Sequence, residues 1–237
     1  MMNRFYRQAP PGVDAAKLGG VLIVIEGMDS SGRSTQIQRL TPWLERRGQS
    51  VVQVALKRSE LVGDALERAK QGNVLSPRTM SLFYATDFYD QLENVIVPAL
   101  RAGAIVLADR YIFTLMARDL VRGASAAWLE SMFSMALVPA AVFYLQTSWR
   151  NLVDRTLQAH AGLDYWESGM DLGLSRDWFE SYVMFQRRMN NKFAELGRRY
   201  DFITINGNRT PSAIEKELRG HIEQVLARAG VMAERET

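Results

Sequence analysis

The most explicit chemistry in this 237-residue chain lies in Gly27-Met28-Asp29-Ser30-Ser31-Gly32-Arg33-Ser34-Thr35. The segment follows the phosphate-loop pattern G-x-x-x-x-G-K-[ST], except that Arg33 stands in the lysine position. Glycines at 27 and 32 let the chain turn tightly. The backbone N–H groups of residues 30 to 34 and the start of the following helix then converge on an anion, and the Ser34 hydroxyl is placed to ligate Mg²⁺. Gly27, Ser30, Ser31, Gly32, Arg33, Ser34 and Thr35 are therefore the candidate nucleotide-binding residues. Arginine keeps the positive charge and forks onto phosphate oxygens, but it does not set a compact ammonium between β- and γ-phosphates. Binding is expected to survive this exchange better than catalysis.

Such a loop works only if a buried strand delivers it and a helix departs from it. Val21 to Ile25 is a β-branched run bounded by Gly19-Gly20 and Gly27, the pattern of a strand buried on both faces. A helix follows, with Ile37, Leu40 and Leu44 in register and a kink expected at Pro42. Further strands are expected at Val51 to Leu56, Ile105 to Ala108, Ala140 to Leu145 and Phe202 to Ile205. Helices are expected at Leu61 to Lys70, Pro77 to Leu100, Phe113 to Arg122, Ala126 to Leu137 and Trp149 to Leu157. A long helix capped by Ser175 and carrying Trp178, Phe179, Tyr182 and Phe185 as packing residues comes next, then a last one along Ile214 to Ala229. Five short strands alternating with helices predict an α/β fold, a parallel sheet covered on both faces. One domain is expected over residues 18–230, with a flexible lead-in at 1–17, a mobile lid near 158–174 and a tail at 231–237 that frays from Glu234.

Composition narrows the alternatives. Cysteine is absent, which removes disulfides, Cys-ligated zinc, Fe–S clusters and a thiol nucleophile. Two histidines leave little scope for a histidine metal site, and His160 in the lid is assigned no role. A net charge of +3 is too small for a protein that coats nucleic acid, and no apolar run approaches a membrane span. A cytoplasmic protein with small anionic substrates is expected. A switch GTPase is disfavoured because no Asn-Lys-x-Asp signature occurs.

From about Val21 to Leu226 the sequence resembles the thymidylate kinases, within the P-loop nucleoside-monophosphate kinases. The resemblance rests on Ile25-Glu26-Gly27-Met28-Asp29, Phe83-Tyr84-Ala85-Thr86-Asp87, Ile96-Val97-Pro98-Ala99-Leu100 and, above all, Val106-Leu107-Ala108-Asp109-Arg110-Tyr111. It implies a P-loop fold with ATP and Mg²⁺, the metal shared by Ser34 and Asp109. It further implies Arg110 at the acceptor phosphate, Asp29 near the acceptor sugar and transferred phosphate, Tyr84 stacked on the acceptor base, Asp87 on the acceptor side, and a homodimer through the helices at 77–100 and 113–137.

The departures fall on phosphate-handling arginines. Asp87-Phe88 stands where the family has Asp-Arg, Leu56-Lys57-Arg58-Ser59 where it has Arg-Glu-Pro, Asp164-Tyr165 where its lid has Asp-Arg, and Arg118 where it often has tyrosine. No lysine or arginine occurs between Arg155 and Arg176. Arg58 and Arg118 are the expected replacements at the acceptor phosphate, and Arg155, just before the lid, the expected transition-state arginine. The expected activity is ATP-dependent phosphorylation of dTMP to dTDP. A nucleoside or other small-molecule kinase of the same fold and a catalytically weakened nucleotide-binding module remain the alternatives.

Overall fold

A computed structural model describes residues 4–72, 75–159 and 163–231. Five parallel strands, β1 (Val21–Gly27), β2 (Val51–Ala55), β3 (Ile105–Asp109), β4 (Ala141–Gln146) and β5 (Ile203–Asn206), form one sheet in the order β2-β3-β1-β4-β5. The central strand β1 pairs with β3 (Val21 with Ile105) and with β4 (Ile23 with Ala141). This is the α/β arrangement expected from the sequence, and each expected strand is found within two residues of its bounds.

Alternation along the strands builds two cores, as a sheet covered on both faces requires. Val21, Ile23, Ile25, Ile105, Leu107, Phe143 and Leu145 face α1 (Arg33–Glu45) and α9 (Pro211–Arg228), whose Ile37, Leu40, Leu44, Ile214, Leu218 and Ile222 fill that layer. Leu22, Val24, Val106, Ala108, Val142 and Tyr144 face the opposite layer. That layer is built from α3 (Pro77–Gln91), α4 (Val97–Arg101), α5 (Ile112–Val121), α6 (Ala126–Met132) and α8 (Trp178–Arg199). Each fully buried Leu, Ile or Phe contributes about 1.5–3 kcal/mol of transfer free energy. The remaining helices, α2 (Gly63–Gly72) and α7 (Trp149–Ala159), follow β2 and β4 in the chain and contact α3 and α8 respectively.

Several local expectations are corrected. The helix expected over Pro77 to Leu100 is divided by a π-helical turn at Leu92–Ile96. Pro98 lies just beyond, and proline lacks the N–H and crowds the carbonyl four residues back, so a widened turn there relieves the ladder. Pro42, by contrast, sits in the last turn of an unbroken α1, with Arg46 N–H donating to Pro42 O at 3.1 Å. Helix α8 is capped by Asp177, whose side chain accepts from Glu180 N at 2.7 Å; Ser175 accepts from Asp177 N instead. Trp178 and Phe179, expected to pack, are 44% and 48% exposed, because the buried stripe of α8 begins only at Ser181 and Tyr182.

The expected lead-in at 1–17 is not a free arm where it is described. Phe5 is buried and bridges antiparallel to Leu137; Tyr6 N donates to Ala136 O at 3.0 Å and Arg7 N to Ser134 O at 2.9 Å. The same pairing shortens α6, expected to reach Leu137, because residues 134–137 turn their backbone toward the N-terminal segment. In the expected lid, residues 163–174 make side-chain contacts to α5 and α8. Ser181 Oγ donates to Ser168 O and Gln186 Nε2 to Glu167 O, while Arg122 binds both oxygens of Asp171 at 2.7 and 3.0 Å. Gly169 has φ +63° and a side chain there would meet the Phe185 ring at 2.7 Å, so this close approach requires glycine. His160 and the frayed tail expected from Glu234 lie outside the described residues.

Candidate active site

The loop between β1 and α1 turns through three positive φ angles, Gly27, Ser30 (62°) and Gly32 (96°). At Gly27 a Cβ would lie 2.6 Å from Ser31 Oγ, which explains glycine there. Left-handed Gly32 then launches α1, whose first N–H groups have no intrahelical partners and face the mouth of the loop.

Arg33 folds under this loop rather than out of it. Its Nε donates to Asp109 Oδ1 at 2.8 Å, and Nη1 reaches Gly27 O (2.6 Å), Met28 O and Ser31 Oγ (3.2 Å). Ser34 Oγ donates to the other oxygen of Asp109 at 2.6 Å. Burial works against an ionised Asp109, but Arg33 and the Ser34 hydroxyl outweigh it and hold its carboxyl below the usual range. An ionised carboxylate beside a hydroxyl at the phosphate loop is the donor set expected for Mg²⁺ carried in with a nucleotide. Among the described residues there is no group of three His, Cys, Asp or Glu that would hold a metal unaided.

On one side of the loop lies a cleft of about 460 Å³, lined by residues 30–36, Arg155, Arg209, Pro211 and Ile214. Arg155, from α7, donates to Ser31 O at 3.2 Å and to Gly207 O at 3.0 Å. It therefore bridges the phosphate loop and the segment after β5. Thr156, its neighbour, donates to Ser30 Oγ at 2.9 Å.

On the other side a second cleft, of about 230 Å³, brings together Asp29, Arg58, Tyr84, Asp109, Arg110 and Arg118, residues from five separate parts of the chain. Asp29 is held by Arg110 and, at 3.2 Å, by Arg118. Burial alone would raise its carboxyl; Arg110, Arg118 and Arg33 overcome that and keep it well below its ordinary value. Burial and the nearby Arg33 pull the Arg110 guanidinium down to about 10. Arg118 moves the other way: burial pulls it down, but Asp29, Tyr84 and Glu167 together outweigh that.

One candidate is not in this cleft. Asp87 is fully buried and its carboxylate accepts from Lys57 N and Ser59 N, both at 2.8 Å, and from Gln91 Nε2 at 3.1 Å. It anchors the turn that presents Arg58 instead of lining the acceptor side, and burial raises its carboxyl above the ordinary value. Phe88, in the family's arginine position, is core, packed edge-on against Tyr111 and Phe133.

Sequence reasoning missed Lys70 and Glu167, which complete the second cleft, and Glu26, fully buried behind it. Lys70 pairs with Asp164 at 3.3 Å and its carbonyl accepts from Trp166 Nε1 at 2.9 Å, so α2 and the lid segment meet over the cleft. Beyond Tyr84 the cleft continues into a recess of about 50 Å³ bordered by Met80, Leu115, Asp119 and Trp166. Burial pushes the Asp119 carboxyl up to about 6. Only Glu26 had a signal, an acidic residue directly closing a β-branched run; the others depend on tertiary placement.

The family described as Thymidylate kinase matches residues 25–218. A protein of Saccharolobus solfataricus described as probable thymidylate kinase 2 is 33% identical over 201 residues, covering 84% of this chain and 94% of the relative. A probable thymidylate kinase of Thermococcus kodakarensis is 31% identical over 216 residues, covering 87% and 98%. That of Thermococcus gammatolerans is 26% identical over 221 residues, with the same coverage. With a phosphate loop on a parallel sheet and relatives matched almost end to end, this chain belongs to the thymidylate kinase family of phosphotransferases.

Proposed function

We propose that this protein transfers the γ-phosphoryl group of ATP to dTMP, giving dTDP and ADP. The observation that carries the reading is the pair of cation-lined clefts on either side of the Ser34–Asp109 pair, one with Arg155 and one with Arg58, Arg110 and Arg118. Phosphoryl transfer asks a protein for in-line placement and for neutralisation of charge on the equatorial oxygens. The amides of residues 30–35 and Arg155 hold the donor phosphates. Arg58, Arg110 and Arg118 hold the acceptor phosphate so that one of its oxygens attacks the γ-phosphorus opposite the departing β-phosphate oxygen. Asp29 keeps Arg110 and Arg118 aligned, Tyr84 stacks on the base, and Ser34 with Asp109 would hold Mg²⁺, which would supply positive charge to offset that of the phosphates.

Arg58, Arg110 and Arg118 in the acceptor cleft favour a phosphorylated acceptor over a bare nucleoside. A module with weakened turnover keeps one argument, the engagement of Arg33 by loop carbonyls and Asp109. Homodimer formation through the α3–α5 side is part of the proposal, supported by Leu82 and Val95, 49% and 36% exposed on that side. The cytoplasm, where ATP and dTMP occur, is the proposed location; no helix among the described residues is long and apolar enough to cross a membrane.

The test is incubation with Mg-ATP and a panel of nucleosides and monophosphates, following ADP and product. Diphosphate formed from dTMP supports the reading, and phosphorylation of nucleosides alone overturns it. Binding of ATP without turnover, with activity gained in Arg33→Lys, favours the weakened module. Arg58→Ala and Arg118→Ala should each raise the acceptor KM; unchanged values would remove them from the acceptor site.

A further inference from the structure

The geometry points to Glu26 as a positioning residue for the acceptor: from β1 it holds the backbone that aims Arg110 into the cleft. Glu26 has no exposed surface, and its carboxylate accepts three hydrogen bonds. Oε1 receives Tyr111 N at 2.9 Å and Thr114 N at 3.1 Å, and Oε2 receives Thr114 Oγ1 at 2.5 Å. Tyr111 is the N-cap of α5 and makes no side-chain cap of its own. Thr114 is the third helical residue. Glu26 thus binds the two amides, cap and third position, that a capping box would satisfy from within a helix, but does so from a neighbouring strand.

Between β3 and that cap lies a single residue, Arg110, at φ +75°, where a side chain other than glycine is strained. Its N–H donates to Ile25 O at 3.0 Å. The consecutive amides of Arg110 and Tyr111 are therefore fixed to the consecutive residues Ile25 and Glu26. This bracket holds the strained conformation and turns the guanidinium toward Asp29. Without Glu26 the Tyr111 and Thr114 amides lose their acceptor, Arg110 relaxes to negative φ, and its guanidinium leaves the cleft.

The inference rests on the proposed acceptor site and is tested with the full chain. Glu26→Ala should raise the KM for dTMP by about tenfold or more, leaving the KM for ATP within about twofold. Glu26→Gln still offers one oxygen to both amides and should restore the acceptor KM to within about threefold of wild type. In an Arg110→Ala background Glu26→Ala should add nothing. Equal shifts in both KM values, or penalties that multiply in the double variant, overturn the proposal. Should Glu26→Ala fail to fold, Glu26→Asp, too short to span both amides, carries the same expectation. A crystal structure of whichever variant folds, taken without substrate, reads the link independently: Arg110 at negative φ and released from Asp29 supports it, an unmoved Arg110 refutes it. Wild-type protein inactive on dTMP would refute the proposed function while leaving this structural readout in force.

Discussion

Arg33 is the sharpest place to perturb this protein, because one guanidinium braces the phosphate loop from beneath. Arg33→Ala deletes the bond to Asp109 Oδ1 at 2.8 Å together with those to Gly27 O, Met28 O and Ser31 Oγ. A hydrogen bond to a charged group is worth about 1.5–3 kcal/mol singly, but bonds made by one group do not add. Arg33 is only 8% exposed, whereas Asp109 keeps Ser34 and some solvent after the deletion. A net loss of about 2–4 kcal/mol is expected, and for a chain of this length that lowers Tm by roughly 5–15 °C. Arg33→Lys keeps the charge but cannot reach Asp109 and the two loop carbonyls together, so about half that loss is expected. In turnover, Arg33→Ala should lower kcat by about 10²-fold, because a loosened loop misplaces the amides that hold the donor phosphates. Calorimetry and steady-state kinetics on the three proteins measure both effects. An Arg33→Ala protein that melts within about 2 °C of wild type would show that the guanidinium does not hold the loop, and the reasoning would fail.

Asp87→Ala should leave the Lys57 and Ser59 amides without their acceptor, cost about 2–3 kcal/mol in urea denaturation, and raise the acceptor KM by loosening the Arg58 turn. Glu26 titrates higher when folded than when unfolded, chiefly from burial. Between about pH 4.5 and its folded pKa the native state retains a proton that the unfolded chain has released, so stability falls as pH rises through that window. Urea midpoints measured across it should slope downward in wild type and flatten in Glu26→Gln; identical slopes would contradict the burial assignment. Arg122→Ala removes the paired bonds to Asp171 and the bond to Trp166 O. Chymotryptic cleavage near Tyr165 and Trp166 should then speed up by about tenfold, and an unchanged rate would mean the lid segment is held by other contacts.

Much of the fold was legible because β-branched runs bounded by glycine announce buried parallel strands, as Val21 to Ile25 does here. The phosphate loop was legible for the same reason, its glycines answering a local backbone need. Asp87 was not, because its partners, the amides of Lys57 and Ser59, belong to a turn that local sequence does not connect to α3. The pairing of Phe5 with Leu137 was equally hidden: Pro10, Pro11 and Gly12 read as a loose arm, and no periodicity records a contact so distant along the chain. Trp178 and Phe179 show the opposite failure. Their helical spacing matched a core face, but α8 begins its first turn beyond the edge of the layer it packs on.

The position of β1 between β3 and β4 bears on how the protein is made. The most apolar strand leaves the ribosome well before both its sheet partners, which are encoded far downstream, at Ile105–Asp109 and Ala141–Gln146. At ordinary translation rates it waits on the order of ten seconds before either edge is covered. During that interval the nascent chain presents an unpaired strand with two open edges, so the arrangement that buries the phosphate loop's foundation most deeply also makes the stretch of synthesis between β1 and its partners the most aggregation-exposed.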